Sequence, residues 1–131
     1  MRVVFDSNIL ISALVFPGRS AERAMFRVIE GVDRLLISRP ILDEVLAVLA
    51  RKFARESEEL ARVAVVLTDI AELVTPTKTI HVLKDDPDNR VLECAAGGHA
   101  EVLVTGDRAM LDLRFYGKVR IVSLRSYLET R

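Results

Sequence analysis

The sequence predicts an α/β fold in which helices cover both faces of a mostly parallel sheet of about four to five strands. Short β-branched runs alternate along the chain with longer segments whose apolar residues recur at helical spacing. The four prolines lie where elements should begin or end, and no repeat or Pro/Gly-rich linker divides the chain. Strands that alternate with helices join through right-handed crossovers, which gives a parallel sheet. At 131 residues the chain has the size of one domain, so residues 1–131 are expected to form a single domain.

The first elements follow from local patterns. The β-branched run from Arg2 to Phe5 predicts a buried strand, and the segment from about Asn8 to Phe16, apolar almost all round, predicts a helix. A second helix is expected where apolar residues repeat at helical spacing between Ser20, placed to cap its start, and Gly31, placed to end it. The run from Leu35 to Ile37 predicts the second strand.

The middle of the chain predicts two further helices. Ser38 or Arg39 caps the first of these, which carries an apolar stripe from Leu42 to Phe53. A long second helix is predicted by apolar residues that stay in helical phase from Leu60 to Val74. The threonine-rich segment from Thr75 to His81 is a candidate for a short strand.

The last third continues the alternation of helices and strands. Asp88 precedes a helix with apolar residues from Val91 to Ala96, and Gly97-Gly98 stops that helix. A short helix is expected after Asp107. The remaining expected elements are strands at Val102–Thr105 and near Val119–Val122, and a last helix near Leu124–Glu129.

The overall composition excludes several classes of protein. Half of the residues are hydrophobic, which excludes a disordered tail or a highly charged binding arm. Nineteen Lys and Arg residues balance nineteen Asp and Glu residues, so the formal net charge is zero. This balance disfavours a protein that binds nucleic acid non-specifically through a basic surface.

Cysteine and histidine are too scarce for two common kinds of site. Cys94 is the single cysteine, and His81 and His99 are the only histidines, so neither an intrachain disulfide nor a thiolate or imidazole zinc cluster can form. A reducing, cytoplasmic location is therefore expected. The apolar stretch from Ile9 to Phe16 is too short to span a bilayer and lacks the features of a signal peptide, so no membrane association is expected.

Four acidic residues from distant parts of the chain are the candidates for chemistry. Asp6 and Asp107 follow two apolar strands, and in an open α/β sheet the carboxyl ends of parallel strands share the edge where ligands bind. Asp88 lies at the entrance of a helix whose apolar face docks on the sheet. Glu44 lies in the first turns of its helix, at the border of the apolar stripe. The sequence therefore predicts that these carboxylates lie close together.

A cluster of four carboxylates requires a compensating positive charge. Two unit charges 4 Å apart interact by about 4 kcal/mol at an effective dielectric constant near 20. An all-oxygen ligand set without sulfur or imidazole suits Mg²⁺ or Mn²⁺, which bind carboxylates together with substrate phosphate. Such an ion lowers the pKa of bound water and offsets the charge on a phosphodiester, which allows a metal-dependent phosphodiesterase.

Simpler interpretations exist for each acid taken alone. Asp6, Asp88 and Asp107 could each cap a helix, and Glu44 could be a solvated helix residue. Independent caps, however, have no reason to fall on one edge of a sheet. Other classes that place acids at this edge fit poorly, because a haloacid-dehalogenase-type phosphatase needs a second aspartate where Asn8 stands, and neither the residues of a receiver domain nor a Walker-type glycine loop are present.

The pattern of acids resembles the four acidic motifs of PIN-domain nucleases. The resemblance is specific in order and spacing, and it runs from Val3 to about Leu124. The segments that carry it are Asp6-Ser7-Asn8, Leu42-Asp43-Glu44-Val45, Asp86-Pro87-Asp88-Asn89 leading into Leu92-Glu93-Cys94-Ala95, and Val104-Thr105-Gly106-Asp107.

This resemblance implies a three-layer α/β/α sandwich and a Mg²⁺- or Mn²⁺-dependent endoribonuclease, similar to VapC-type toxins of toxin–antitoxin pairs. An RNA substrate, a small antitoxin protein and a homodimer are the partners that it implies. The implied catalytic and metal-binding acids are Asp6, Glu44, Asp88 and Asp107. Asn8 is then expected to support Asp6, and Thr105 to orient the last acid.

Two assignments stay open at this point. Asp88 fits the third motif best by its distance from Ala95, but Asp85 and Asp86 are close enough to substitute or assist, and Asp112 is a candidate peripheral acid. The alternatives for function are a stand-alone PIN nuclease in RNA processing and a catalytically inactive PIN-like interaction module.

Overall fold

Six strands and seven helices make up residues 1–130, the part of the chain that the computed structural model describes. Residue 131, which belongs to the predicted domain, lies outside the described residues. The strands are β1 (Arg2–Phe5), β2 (Arg34–Ser38), β3 (Ala71–Val74), β4 (Val102–Val104), β5 (Phe115–Tyr116) and β6 (Val119–Val122). The helices are α1 (Ser7–Val15), α2 (Ser20–Ile29), α3 (Arg39–Phe53), α4 (Ser57–Ile70), α5 (Asp86–Gly97), α6 (Arg108–Leu113) and α7 (Leu124–Leu128).

The strands form one sheet in the order β3-β2-β1-β4-β6-β5. All neighbouring pairs are parallel except β5 and β6, which are antiparallel. Val4 lies at the centre, paired with Leu36 on one side and Leu103 on the other, and all three side chains are buried. The predicted α/β/α fold with a mostly parallel sheet is confirmed. The sheet has six strands instead of four to five, because β3 lies in a segment predicted as helix and the two-residue strand β5 carries too short a pattern to be recognised.

The predicted helix from Leu60 to Val74 is wrong in its last turn. Helix α4 ends at Ile70, and Ala71–Val74 forms β3, which pairs in parallel with β2. A short apolar run fits helical and extended spacing alike, so periodicity alone could not separate the two. The parallel ladder with β2 decides in favour of the strand, because it buries Val74 and satisfies backbone groups on one side of the segment.

The candidate strand at Thr75–His81 is also wrong, since these residues are an irregular segment that leads from β3 to α5. The segment is attached to α5 by a side chain rather than by a strand partner. Ile80 is buried, and its N–H donates to Oε2 of Glu93 at 2.9 Å. A hydrogen bond between a backbone N–H and a distant side chain leaves no periodic pattern in the sequence, so periodicity could not predict it.

Two helix starts determine the shape of the functional edge. Ser38, at the end of β2, caps α3 by accepting a hydrogen bond from the N–H of Ile41, so Ser38 rather than Arg39 is the cap. Asp107, after β4, caps α6 in the same way through the N–H of Met110 at 2.9 Å. Both helices therefore begin directly at the carboxyl ends of parallel strands. Within residues 1–130, no helix is long and apolar enough to cross a membrane.

Candidate active site

Asp6 and Asp107 lie at neighbouring positions on the carboxyl edge of the sheet. The N–H of Asp6 donates to the carbonyl of Val104 at 2.9 Å, so the pairing of β1 and β4 continues up to the first acid. Asp6 is only 4% exposed, and Asp107 follows two residues after the buried Thr105. The predicted proximity of the two strand-end aspartates is thus built by the β1–β4 ladder.

Thr105 links these two aspartates directly. Its buried hydroxyl donates to Oδ2 of Asp6 at 2.7 Å and accepts a hydrogen bond from the N–H of Asp107 at 3.0 Å. Thr105 therefore contacts the carboxylate of the first acid and the backbone of the last acid. From the sequence, Thr105 is expected to orient only the last acid. In the structure it contacts both Asp6 and Asp107, since a hydroxyl can donate and accept at the same time.

Helices α3 and α5 bring Glu44 and Asp88 to the same edge. Asp88 lies in the first turn of α5 and is 8% exposed, while Glu44 lies in the second turn of α3 and is half-buried. Burial raises the pKa of Asp88 to about 7, together with the negative charges of Asp6, Asp107, Asp85 and Glu44. The charges of the other three predicted acids therefore act on Asp88, which independent surface acids would not do.

The same electrostatic environment acts on Asp6. Burial raises the pKa of this carboxyl, and the charges of Glu44 and Asp107 raise it further. The hydrogen bond from Thr105 and the nearby backbone N–H of Ser7 act in the opposite direction, but they do not cancel the effect of burial. A buried carboxylate among like charges is costly to keep ionised, so this edge favours a bound cation.

The helix-capping interpretation fits some of these acids and not others. The side chain of Asp6 makes no capping hydrogen bond to α1, although Asp6 precedes that helix. Asp88 lies inside α5, because the helix begins at Asp86. Asp107 does cap α6, but it uses only Oδ2 for that bond. Capping therefore leaves the positions of Asp6 and Asp88 without an explanation.

The structure separates the candidates for the third acid. Asp88 is buried, and the charges of Asp6, Asp107, Asp85 and Glu44 all raise its pKa. Asp86 instead accepts hydrogen bonds from Asn89 at 3.2 Å and from Arg90 at 3.4 Å, both on α5. Asp112 is exposed near the end of α6.

Asn8, the other predicted supporting residue, is exposed at the second position of α1. Within residues 1–130, no hydrogen bond joins Asn8 to Asp6. The neighbouring Ser7 is buried, and its Oγ has no hydrogen-bond partner among the described residues. A buried hydroxyl without a partner beside Asp6 is consistent with a site that is completed by a further group.

Asn89 is a buried polar residue whose role the sequence did not reveal. Its Oδ1 accepts hydrogen bonds from the N–H groups of Val82 and Leu83, at 3.2 and 2.8 Å. Its Nδ2 donates to the carbonyl of Leu83 and to Asp86, at 2.9 and 3.2 Å. This side chain uses all of its hydrogen-bonding capacity to hold the segment before α5. One signal was available, because asparagine is unfavourable inside a helix unless its side chain has a specific partner.

The donor set at this edge fits a hard divalent cation. The four acids supply carboxylate oxygens, which Mg²⁺ and Mn²⁺ prefer, and their mutual repulsion would be relieved by an ion. In residues 1–130, no three His, Cys, Asp or Glu side chains lie close enough together to hold an ion as they stand. Like charges repel and keep such side chains apart, so the carboxylates would have to turn inward on binding.

A comparison of the sequence with protein families matches residues 2–109 to the model described as PIN domain. The chain is also 25% identical over 118 residues to the protein MJ1680 of Methanocaldococcus jannaschii, which is described as uncharacterized. That match covers 87% of this chain and 76% of MJ1680.

Two solved structures have a similar fold. VapBC2 from Rickettsia felis, bound to a DNA fragment from its promoter, matches with a TM-score of 0.66 and 12% identity over 94% of this chain and 98% of the matched chain. VapBC-1 from nontypeable Haemophilus influenzae matches with a TM-score of 0.64 and 19% identity over 95% of this chain and 99% of the matched chain. At this level of identity the similarity establishes the fold.

Proposed function

The chain belongs to the PIN-domain family, and on that basis we propose that it is a divalent-cation-dependent endoribonuclease that acts as the toxin of a toxin–antitoxin pair. The observation that carries this proposal is the arrangement at the carboxyl edge of the sheet, where Asp6 and Asp107 follow the paired strands β1 and β4, and where α3 and α5 contribute Glu44 and the buried Asp88. A structural module has no need of the mutual repulsion of these carboxylates, whereas a site for a cation and a phosphodiester does.

Asp6, Glu44, Asp88 and Asp107 are the residues that would hold the ion. When bound, Mg²⁺ or Mn²⁺ makes water a better nucleophile and offsets the charge that develops on the phosphodiester. The chain restrains part of this ligand set, because the hydroxyl of Thr105 donates to Oδ2 of Asp6. The N–H of Met110 fixes Oδ2 of Asp107, so the other oxygen of that carboxylate is available to a ligand.

Glu44 and its neighbour Asp43 offer a matched pair of variants that test this proposal. Asp43 is an exposed acid that pairs with Arg39 on the surface of α3, while Glu44 faces the acidic cluster. Purified wild-type protein should cleave single-stranded RNA with Mn²⁺ and should not cleave it in EDTA. Glu44→Gln should lower the cleavage rate by about 100-fold or more, and Asp43→Asn should leave it within about twofold.

Calorimetric titration with Mn²⁺ separates the nuclease from an inactive interaction module. The nuclease proposal expects a saturable site in the wild type that weakens strongly in Glu44→Gln and persists in Asp43→Asn. The absence of any saturable site in the wild type, together with the absence of cleavage, would favour the interaction module.

The proposed antitoxin partner is supported by an exposed apolar cleft between α1, α3 and α4. The cleft has a volume of about 240 Å³ and is lined by the apolar residues Leu14, Val15, Leu49, Val63 and Val66, together with the charged residues Arg55, Glu59 and Arg62. Apolar clefts of this kind commonly bind a segment of a partner protein. Two structurally similar proteins were solved as VapBC complexes, which is consistent with such a partner.

Induced expression in a bacterial host tests the toxin role. The wild type should arrest growth, and Glu44→Gln, which retains the cleft but loses an acid, should not. Growth arrest by both proteins would indicate that toxicity does not depend on the acidic site. Normal growth with an active wild-type nuclease would favour a stand-alone role in RNA processing.

A further inference from the structure

A second cleft lies directly beside the acidic cluster, between the first turns of α3 and α5. Its volume is about 240 Å³. Glu44 belongs both to this cleft and to the acidic cluster, so the two are continuous. We call it the α3–α5 cleft, and its lining residues are Pro40, Ile41, Glu44, Asp86, Pro87 and Arg90.

The chemistry of the α3–α5 cleft favours a flat, neutral and polar ligand. Two prolines and the buried Ile41 provide apolar surface. The carboxylates of Glu44 and Asp86 would repel a phosphate. The edges of the Arg90 guanidinium are occupied by Asp86, Glu93 and the carbonyl of Ile80, so Arg90 would contact an aromatic ring only through the face of its guanidinium. A nucleobase combines apolar faces with hydrogen-bonding edges, and single-stranded RNA exposes both.

Asp86 has a carboxylate that can accept hydrogen bonds from the edge of such a base. Its two oxygens accept hydrogen bonds from Asn89 at 3.2 Å and from Arg90 at 3.4 Å, which fixes the carboxylate on α5. The side chain is nevertheless 63% exposed, so each oxygen can accept a further hydrogen bond. A fixed carboxylate with two free acceptor positions matches a ligand with two adjacent N–H donors.

We propose that the α3–α5 cleft binds a guanine base next to the scissile phosphate of the RNA, and this proposal rests on the proposed ribonuclease function. Guanine presents two adjacent donors, N1–H and the N2 amino group, to a carboxylate. Adenine and cytosine place a ring acceptor beside their amino group, and uracil flanks its single N–H with two carbonyls. Each of these other bases would therefore direct an acceptor at Asp86.

Cleavage of a randomised single-stranded RNA pool in Mn²⁺, with sequencing of the cut sites, tests the proposal. The wild type should enrich guanine about tenfold at one fixed position beside the cut. Asp86→Asn should remove that enrichment, because an amide offers one acceptor instead of two. Asp69→Asn, which changes an exposed acid on α4, should keep the wild-type profile.

Base analogues at the enriched position provide a second measurement that does not depend on any variant. Inosine lacks the N2 amino group and should be cut about tenfold more slowly than guanosine. The analogue 7-deazaguanosine keeps both donors and should be cut at the same rate as guanosine.

Each outcome has a distinct meaning. Cleavage by the wild type without a base preference, or an unchanged preference in Asp86→Asn, overturns the guanine subsite and leaves the ribonuclease function standing. A uniform loss of rate in Asp86→Asn with the preference intact also overturns it, because Asp86 would then act on the ion. No cleavage by the wild type overturns both proposals.

Discussion

Asp88 is a buried acid of the proposed site, and the folded protein disfavours its negative charge. Its pKa of about 7 lies far above the value of an aspartate in an unfolded chain, because burial and four neighbouring carboxylates disfavour its charge. The folded state therefore binds a proton that the unfolded state has lost. In the absence of metal, the contribution of Asp88 to stability is therefore most favourable below about pH 4 and is lost as the pH rises toward 7.

Asp88→Asn should therefore stabilise the metal-free protein while it abolishes cleavage. The free energy of unfolding should rise by roughly 1–3 kcal/mol at pH 8, since the amide removes a buried negative charge. The gain should shrink toward zero near pH 4. Urea denaturation at several pH values in EDTA measures both effects, with Asp69→Asn as a control whose difference from the wild type should not vary with pH. A less stable Asp88→Asn protein at pH 8 would contradict the electrostatic interpretation.

At the scale of single residues, the sequence predicted the positions of those acidic residues that directly follow a strand. Asp6 and Asp107 could be placed together because parallel strands end at one edge. Asn89 could not be placed, since its partners are backbone groups of an irregular segment. The opposite orientations of Asp86 and Asp88, two residues apart on one helix, also depend on side-chain contacts that spacing does not encode.

At the scale of elements, α5 and the segment before it behave as one unit. Asn89 holds Val82 and Leu83 through three hydrogen bonds, and Arg90 donates to the carbonyl of Ile80 at 3.1 Å. The segment carries no regular backbone pairing of its own within residues 75–85. Its position beside the acidic cluster is therefore determined by the side chains of α5.

Asn89→Ala should loosen this segment and lower the stability of the protein. Three backbone groups would lose their partners, which should cost about 1–3 kcal/mol. Hydrogen exchange should show the largest loss of protection at the amides of Val82 and Leu83. Asn8→Ala, which changes the exposed asparagine of α1, should leave both amides and the stability unchanged. Equal protection of Val82 and Leu83 in Asn89→Ala and the wild type would show that Asn89 does not hold the segment.

The boundary between α4 and β3 shows why element type was harder to predict than element order. Leu67 is the only fully buried residue of α4, so tertiary packing specifies this helix weakly. In β3, by contrast, Glu72 pairs with Arg2 of β1 at 3.0 Å and with Arg34 of β2 at 2.9 Å. These contacts join parts of the chain that are far apart in sequence, so no local sequence pattern predicts them.

At the scale of the whole molecule, Asp33 connects the two ends of the chain. This buried carboxylate accepts hydrogen bonds from the hydroxyl of Tyr127 at 2.5 Å, from Arg27 at 3.0 Å and from the amino group of Met1 at 2.9 Å. Arg27 also donates to the carbonyl of Thr130 at 2.9 Å, which fastens α7 against α2. Asp33 and Tyr127 are 94 positions apart, so no local sequence pattern predicts this network.

Asp33→Asn should destabilise the protein by about 3 kcal/mol at pH 7, because it leaves Arg27 with an uncompensated charge. Burial raises the pKa of Asp33, but the hydrogen bonds from Tyr127, the amino terminus and Arg27 lower it by more. The folded pKa is thus below the unfolded one, and this stabilisation is present above about pH 4 and lost as the pH falls.

Denaturation midpoints between pH 2 and pH 7 measure this effect. The difference between the wild type and Asp33→Asn should shrink below about pH 4. Glu30→Gln, an exposed acid at the end of α2, serves as the control with no comparable difference. A destabilisation of Asp33→Asn that stays constant down to pH 2 would show that charge is not its cause.

The chemical ends of the RNA fragments test most directly whether the acidic edge hydrolyses RNA with water as the nucleophile. Attack by water on the phosphorus with displacement of the 3′-oxygen leaves a 3′-hydroxyl and a 5′-phosphate, whereas attack by the 2′-hydroxyl of the RNA displaces the 5′-oxygen and leaves a 2′,3′-cyclic phosphate and a 5′-hydroxyl. Cleavage of a defined single-stranded RNA in Mn²⁺ should give 3′-hydroxyl and 5′-phosphate ends, and it should disappear in EDTA and in Glu44→Gln. Cyclic phosphate ends, or cleavage that persists in EDTA, would contradict the proposed chemistry of the four acids.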